Sequence, residues 1–278
     1  MNWVSPDVSM VGSLSVVRCF LRLTLTRCLI LGALLWGSNG AVAAEARIAV
    51  AANFRDTAEA IAARLEAESL HRYEVIAGST GKLASQIING APFDVFMAAD
   101  RRRPQALIDR GLAVADSQQI YAVGELGLWW PGGSGMPALD ALASLQPRSV
   151  CIANPAFAPY GEAAWALLQS ADLDPDWLHS VVRVDNVNLV AGLIAEGHTT
   201  AGFVARSSLI SGKRQGTVAV ADGDVLWFAE QAAIDQAMVL LTRAERNTAA
   251  QHWIEQMQAA PIRELIQRDG YLLPVEQD

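Results

Sequence analysis

After residue 44, short apolar runs alternate along the chain with stretches in which apolar residues recur at the spacing of one helix face. In the first half, these runs predict strands at Arg47–Ala51, Tyr73–Ala77 and Asp94–Ala98, and a helical pattern follows each of them. The first of these helices repeats its apolar positions from Ala58 to Leu65. Alternation of this kind predicts a mostly parallel sheet that is covered by helices on both faces.

A second series of strands and helices begins at a strand predicted for Leu126–Trp130. Its further strands are predicted at Val150–Ala153, Val181–Val184, Ala201–Val204, Thr217–Val220 and Met238–Leu241. Two helical patterns close the chain, and Pro261 stands at a favoured first helical position of the second. Two such series predict an α/β protein with two lobes, a cleft between them and a C-terminal tail that returns to the first lobe.

Residues 1–44 have a different pattern and are predicted to be a secretory signal peptide. Three arginines precede an apolar run at Cys28–Trp36, and the small residues Ala41–Ala44 are typical of a cleavage site. The apolar run is too short for a full membrane span, which disfavours the alternative of an uncleaved membrane anchor. Residues 45–278 are therefore expected to be exported.

The net charge limits the kinds of partner that the exported chain can have. The charge of −8 becomes −10 when the three Arg and one Asp of residues 1–44 are left out. A chain this acidic is not expected to bind nucleic acid or an anionic membrane, and an anion site in it has to work through local dipoles. Cys151 is the one cysteine after residue 44, and it is expected to be a small buried residue of a strand.

Four segments end an apolar run and open a helix with small or polar residues. They are Ala51–Phe54, Gly78–Lys82, Ala158–Gly161 and Asp185–Asn188. The first N–H groups of a helix have no partner within it, and α/β folds gather their ligand contacts where strands give way to helices. Four such ends around one cleft are expected to hold an oxyanion by hydrogen bonds and dipoles alone.

The same sequence lacks the patterns of the common catalytic sites. Gly78–Lys82 resembles a nucleotide-binding loop, but Ile76 and Leu83 stand where that loop needs Gly and Ser or Thr. Gly132–Met136 just misses the nucleophile elbow of hydrolases, because its last residue is not Gly. No two of the four histidines have the spacing of metal ligands. The chain is therefore not expected to be an enzyme.

Taken in order, several segments resemble the periplasmic molybdate-binding proteins of ABC importers. The matching segments are Val50–Phe54, Gly78–Leu83, Gly90–Asp100, Ile152–Gly161, Asp185–Val187, Gly202–Val204 and Asp269–Tyr271. The resemblance implies a two-lobed type II periplasmic binding protein fold, in which each lobe is a mainly parallel sheet flanked by helices and the ligand lies between the lobes. With residues 1–44 as the signal peptide, the first lobe is predicted at 45–122 plus 243–278 and the second at 123–242.

The resemblance also implies a set of ligand residues. By motif, the positions that contact the molybdate oxygens fall on Asn53 and Ser79 in the first lobe and on Tyr160 and Val187 in the second. Many members have a further Tyr after the Gly-Phe-Val-like strand, where this chain has Ala205. Members that combine Asn at the first motif with Tyr at the Pro-Tyr-Gly motif are the subgroup that this chain resembles. The family holds the oxyanion by hydrogen bonds, with no protein ligand on the metal and no cofactor.

The function that follows is a periplasmic receptor that captures molybdate, and tungstate too, and delivers it as a monomer to an ABC permease in the inner membrane. A receptor for another tetrahedral oxyanion, such as sulfate or thiosulfate, is the first alternative. A periplasmic hydrolase is a second and a sensor domain a third, although the chain has no nucleophile–base pattern and no second module. A site made of donors alone favours a fully deprotonated anion over hydrogen phosphate, whose O–H would find no acceptor.

Overall fold

A computed structural model describes residues 1–3, 43–132, 137–228 and 231–274. Most of the predicted signal peptide, residues 4–42, lies outside the described residues, as does the greater part of the turn at 132–136. Residues 43–278 form one compact unit, which carries every helix and strand of the described ranges. Within those ranges, no helix has the length and hydropathy that crossing a membrane requires.

Strands and helices alternate through this unit, as the apolar pattern predicts. The strands of the described ranges are β1 (Glu45–Ala51), β2 (Arg72–Gly78), β3 (Val95–Met97), β4 (Gln119–Trp129), β5 (Val150–Ala153), β6 (Val182–Val184), β7 (Ala201–Ala205), β8 (Val225–Trp227) and β9 (Ala233–Leu240). The α-helices are α1 (Arg55–Glu68), α2 (Thr80–Ile88), α3 (Arg102–Ile108), α4 (Pro159–Ser170), α5 (Pro175–His179), α6 (Val187–Ala195), α7 (Arg206–Gln215), α8 (Thr248–Gln256) and α9 (Ala260–Arg268).

The strands form one continuous sheet in the order β2-β1-β3-β9-β4-β7-β5-β6, with β8 paired to β4. One end is parallel, because β1 pairs in parallel with β2 and β3, and the other end is parallel through β5, β6 and β7. Antiparallel strands join the two ends. The first part of β4, from Gln119 to Glu125, pairs with β9, and the second part, from Leu126 to Trp129, pairs with β7.

Buried apolar side chains divide this sheet into two lobes. In the first lobe they form one cluster around Phe54 and Trp253 and another around Phe96, on the α2 and α3 side. In the second lobe a single cluster surrounds Trp129 and Phe203. The C-terminal helices α8 and α9 contribute to the Trp253 cluster, so the tail packs on the first lobe. The lobe limits at 122/123 and 242/243 remain predictions.

One strand prediction is wrong, and two helices, α5 and α7, were not predicted. Thr217–Val220 reads as a strand, but these residues are coil after α7, and β8 at Val225–Trp227 is the strand that pairs with β4. Val218 is buried against Gly212 of α7, so its apolar side chain is covered without a sheet partner. The short helix α5 begins after Asp174, whose carboxylate accepts two backbone N–H groups at 2.8 and 3.1 Å.

Candidate functional site

A small cavity lies where four helix starts meet between the two lobes. Its lining residues are Ala51, Ala52, Asn53, Gly78, Ser79, Thr80, Ala99, Ala158, Pro159, Tyr160, Asn186 and Val187. They include all four of the residues predicted to contact the ligand. The cavity measures about 10 Å³ for the centre of a water-sized sphere, which is roughly the space of one water molecule. The structure thus brings the four predicted residues together in a tight site.

The sheet topology explains why these residues meet. Parallel strands point their carboxyl ends to one edge, and the chain turns there into a helix. A short 3-10 helix, Ala52–Phe54, follows β1, and Ser79 stands directly between β2 and α2. In the second lobe, α4 begins at Pro159 and α6 begins at Val187, shortly after β6. First-turn residues of helices from both lobes therefore line the same space.

None of the described residues that line this cavity carries a charge. The side chain of Asn186 caps α6 by accepting the N–H groups of Asn188 and Leu189 at 3.1 and 3.2 Å. The N–H of Val187 is the first of that helix and has no acceptor within it. Any anion held here is therefore held by neutral donors and by the positive ends of helix dipoles.

The side chain of Asn53 belongs to a buried polar network. Its Nδ2 donates to Oε1 of Gln236 at 2.9 Å and to the hydroxyl of Tyr271 at 3.1 Å. The Tyr271 hydroxyl in turn donates to the backbone carbonyl of Asn53 at 2.7 Å. Because both amide hydrogens of Asn53 are used in this network, its remaining donor is the backbone N–H.

Tyr160 reaches the same network from the second lobe. Its hydroxyl oxygen accepts a hydrogen bond from Nε2 of Gln236 at 3.3 Å. Burial raises the pKa of the Tyr160 hydroxyl well above its usual value, with further increases from Tyr271 and Glu125. The hydroxyl therefore keeps its proton at neutral pH and remains able to donate one hydrogen bond.

Ser79 connects the two lobes directly. Its hydroxyl donates to the backbone carbonyl of Asp185 at 2.5 Å. Nearby, Lys82 pairs with the carboxylate of Asp185, and the N–H of Gly81 donates to the carbonyl of Phe157 at 2.8 Å. A Cβ at Gly81 would lie 3.0 Å from the backbone of Phe157, so this close approach depends on glycine. These contacts describe lobes that are closed on each other.

Two polar residues of this region, Gln236 and Asn188, were not among the predicted ligand residues. Gln236 is a lone amide in the apolar strand β9, and it is completely buried. Asn188 donates through Nδ2 to the carbonyl of Ala52 at 2.6 Å across the cleft and accepts from Ser208 at 2.5 Å. A buried amide needs partners, so an uncharged polar residue inside an apolar strand is the signal that points to Gln236. Ala205 is buried at the end of β7.

Reactive groups are not gathered at this site. Among the described residues, no group of three or more His, Cys, Asp or Glu side chains is placed to hold a metal ion. Cys151 is buried in β5 as predicted, and burial raises the pKa of its thiol to about 12. Since the thiolate is the nucleophilic form, this thiol is unreactive at neutral pH.

Comparison with known sequences identifies the family. The profile of the family described as "Bacterial extracellular solute-binding protein" matches residues 46–272. This chain belongs to that family. Two relatives are each named "Molybdate-binding protein ModA". The one from Rhodobacter capsulatus is 32% identical and covers 84% of this chain and 90% of its own length. The one from Azotobacter vinelandii is 36% identical and covers 83% of this chain and 91% of its own.

A solved structure supports the same assignment. The periplasmic molybdate-binding protein of Azotobacter vinelandii superimposes with a TM-score of 0.71 at 27% identity, over 83% of this chain and 100% of that one. The predicted two-lobed fold of a type II periplasmic binding protein is thereby confirmed. These relatives are named as binding proteins, which confirms the prediction that the chain is not an enzyme.

Proposed function

We propose that this protein captures molybdate in the periplasm and delivers it to the permease of an ABC importer, and that it accepts tungstate in the same site. The observation that carries the proposal is the uncharged cavity at which Asn53, Ser79, Tyr160 and Val187 meet from both lobes. Its relatives from two organisms, named as molybdate-binding proteins, support the choice of anion. The protein acts as a monomer with one site between its lobes.

The chemistry of the cleft suits a dianion. An anion that leaves water for a closed cleft needs several donors for each oxygen, because an unpaired buried charge is costly. Backbone N–H groups at the starts of α2, α4 and α6, together with the hydroxyls of Ser79 and Tyr160, are donors of this kind. A site with donors and no acceptors favours molybdate and tungstate over hydrogen phosphate, which carries an O–H of its own.

Binding requires the lobes to open and close again. The cavity has roughly the space of one water molecule, so an anion with four oxygens enters only after the lobes separate. On closure we expect the Ser79 hydroxyl to exchange the carbonyl of Asp185 for an anion oxygen. The antiparallel strands β4 and β9 are continuous between the lobes and are the places where a hinge motion would bend.

Thermal melting of the purified protein with each anion tests the proposal. A ligand at one hundred times its Kd stabilises the folded state by about 2.7 kcal/mol, so molybdate and tungstate should each raise the melting temperature by a similar amount. Sulfate and phosphate at the same concentration should have much smaller effects. An equal shift with sulfate would instead identify a sulfate receptor, and no shift with any of the four anions would contradict the proposal.

A further inference from the structure

A completely buried glutamine lies behind the cleft and contacts both lobes. Gln236 stands on β9, and its Oε1 accepts from Nδ2 of Asn53 at 2.9 Å, on the first-lobe side. Its Nε2 donates to the hydroxyl of Tyr160 at 3.3 Å, on the second-lobe side. The hydroxyl of Tyr121 also lies 3.1 Å from Oε1. Among the hydrogen bonds of the described residues, those of Gln236 alone join the side chain of Asn53 to the side chain of Tyr160.

The donors and acceptors of this network fix the direction of each bond. Nδ2 of Asn53 can only donate, so the group of Gln236 that faces it has to be the oxygen. That orientation turns Nε2 of Gln236 toward Tyr160, whose oxygen accepts. The single hydrogen of the Tyr160 hydroxyl then remains for another acceptor. With the amide of Gln236 reversed, Oε1 would take that hydrogen instead.

The space for this contact is provided by Gly124 of β4. A Cβ at Gly124 would lie 1.9 Å from the Tyr160 hydroxyl oxygen and 2.7 Å from Nε2 of Gln236. Such distances are far inside van der Waals contact, so any larger residue at this position would displace one of the two groups. The arrangement of Tyr160 and Gln236 thus depends on a residue that does not itself line the cavity.

We propose that Gln236 is a positioning residue of the oxyanion site, which orients the Tyr160 hydroxyl so that its hydrogen is donated to the bound anion. The same amide also accepts from Nδ2 of Asn53, but the anion contact that it sets is the one made by Tyr160. This inference rests on the proposed function, since it assigns how Tyr160 of that site is held. Gln236 itself does not contact the anion.

A double-mutant cycle tests this role. Gln236→Met keeps the length of the side chain and removes its hydrogen bonds, while Tyr160→Phe removes the hydroxyl alone. By calorimetric titration with molybdate, each single variant should bind about tenfold more weakly. The double variant should bind about as weakly as Tyr160→Phe, because Gln236 acts through the hydroxyl that is already missing.

Gly124→Ala is a second variant that disrupts the contact between Gln236 and Tyr160, and it keeps the test possible if Gln236→Met does not fold. It should weaken molybdate binding by a similar factor without changing any hydrogen-bonding group. Ser117→Ala is the matched control, because it removes a buried hydroxyl that accepts from Leu240 of β9 at 3.0 Å, away from the cleft. This control should lower the melting temperature and leave the affinity unchanged.

The outcomes separate the two proposals. A wild-type protein that binds no oxyanion would overturn the proposed function. A wild-type protein that binds molybdate, with Gln236→Met equal to it in affinity, would overturn the positioning role alone. The positioning role would also be overturned if the losses of binding free energy in Gln236→Met and Tyr160→Phe added up in the double variant. Additive losses would show that Gln236 does not act through the hydroxyl.

Discussion

The hydroxyl oxygen of Ser79 lies 2.5 Å from the carbonyl oxygen of Asp185, and this hydrogen bond joins the two lobes at the edge of the cleft. Ser79 directly precedes α2, and Asp185 precedes the capping residue of α6. The starts of α2 and α6, which would contact an anion from opposite sides, are therefore already in contact with each other. The Ser79 hydroxyl is therefore placed to donate either to the carbonyl of Asp185, which joins the lobes, or to an oxygen of a bound oxyanion.

Replacing Ser79 with Ala should weaken molybdate binding by about 1–3 kcal/mol, because an anion oxygen then loses a buried donor. Titration calorimetry measures the loss. Ser85→Ala is a suitable control on the same helix, since its hydroxyl donates to the carbonyl of Gly81 at 2.9 Å and does not line the cavity. Equal affinity of Ser79→Ala and Ser85→Ala would show that the Ser79 hydroxyl does not contact the anion.

Replacing Lys82 with Ala should have a much smaller effect. Lys82 pairs with Asp185 across the cleft, but both side chains are nearly half exposed, at 47% and 44%. An exposed pair of this kind is worth about 0–1 kcal/mol and is screened by salt. The difference in affinity between wild type and Lys82→Ala should therefore shrink as the salt concentration rises. A loss larger than that of Ser79→Ala would mean that a charge, and not neutral donors, holds the anion.

Much of this arrangement is predictable because its signals are local. Each helix start follows an apolar run and opens with small or polar residues, and the ends of parallel strands meet at one edge of a sheet. The four segments that contain Asn53, Ser79, Tyr160 and Val187 could therefore be placed together from the sequence. The resemblance to a known family adds the choice of these four residues and of the anion, which the pattern alone does not determine.

The remainder depends on contacts between distant parts of the chain. Asn53 and Gln236 are 183 residues apart, and nothing near either residue indicates that their amides meet. The direction of the Asn53 side chain is unpredictable for the same reason. At Thr217–Val220 the alternation of β-branched residues is a strand pattern, but packing of Val218 on α7 replaces strand pairing. Tertiary packing decides in both cases.

Two helical glycines should respond in opposite ways to substitution by Ala. At Gly161 in α4, a Cβ would lie 2.1 Å from the carbonyl oxygen of Ala153, so Gly161→Ala should lower the free energy of unfolding by about 1–3 kcal/mol. At Gly192 in α6 a Cβ would meet nothing within 4 Å, so Gly192→Ala should raise it by about 0.5–1 kcal/mol. Urea denaturation measures both. Equal stability of the two variants would mean that α4 does not pack this closely on β5.

Stability should fall at alkaline pH because of the buried tyrosines. Burial raises the pKa of Tyr121, Tyr160 and Tyr271 above the usual value of 10.0. Above pH 10 these hydroxyls ionise in the unfolded chain and stay protonated in the folded one. The unfolded state then binds fewer protons, so the contribution of each of these three groups to the free energy of unfolding is full below pH 10 and decreases by about 1.4 kcal/mol per pH unit above it.

Urea denaturation at pH 8 to 11 measures this slope. Tyr160→Phe removes one of the three groups and should make the alkaline slope shallower, whatever its effect on stability at pH 8. An unchanged slope in Tyr160→Phe would show that the hydroxyl is not buried in the folded protein.

Calorimetric titration of the purified protein with molybdate tests the central claim most directly, with tungstate and sulfate titrated in parallel. The account predicts one site per chain, similar affinities for molybdate and tungstate, and an affinity for sulfate that is lower by a large factor. Sulfate bound as tightly as molybdate, or no binding of molybdate at all, would contradict it.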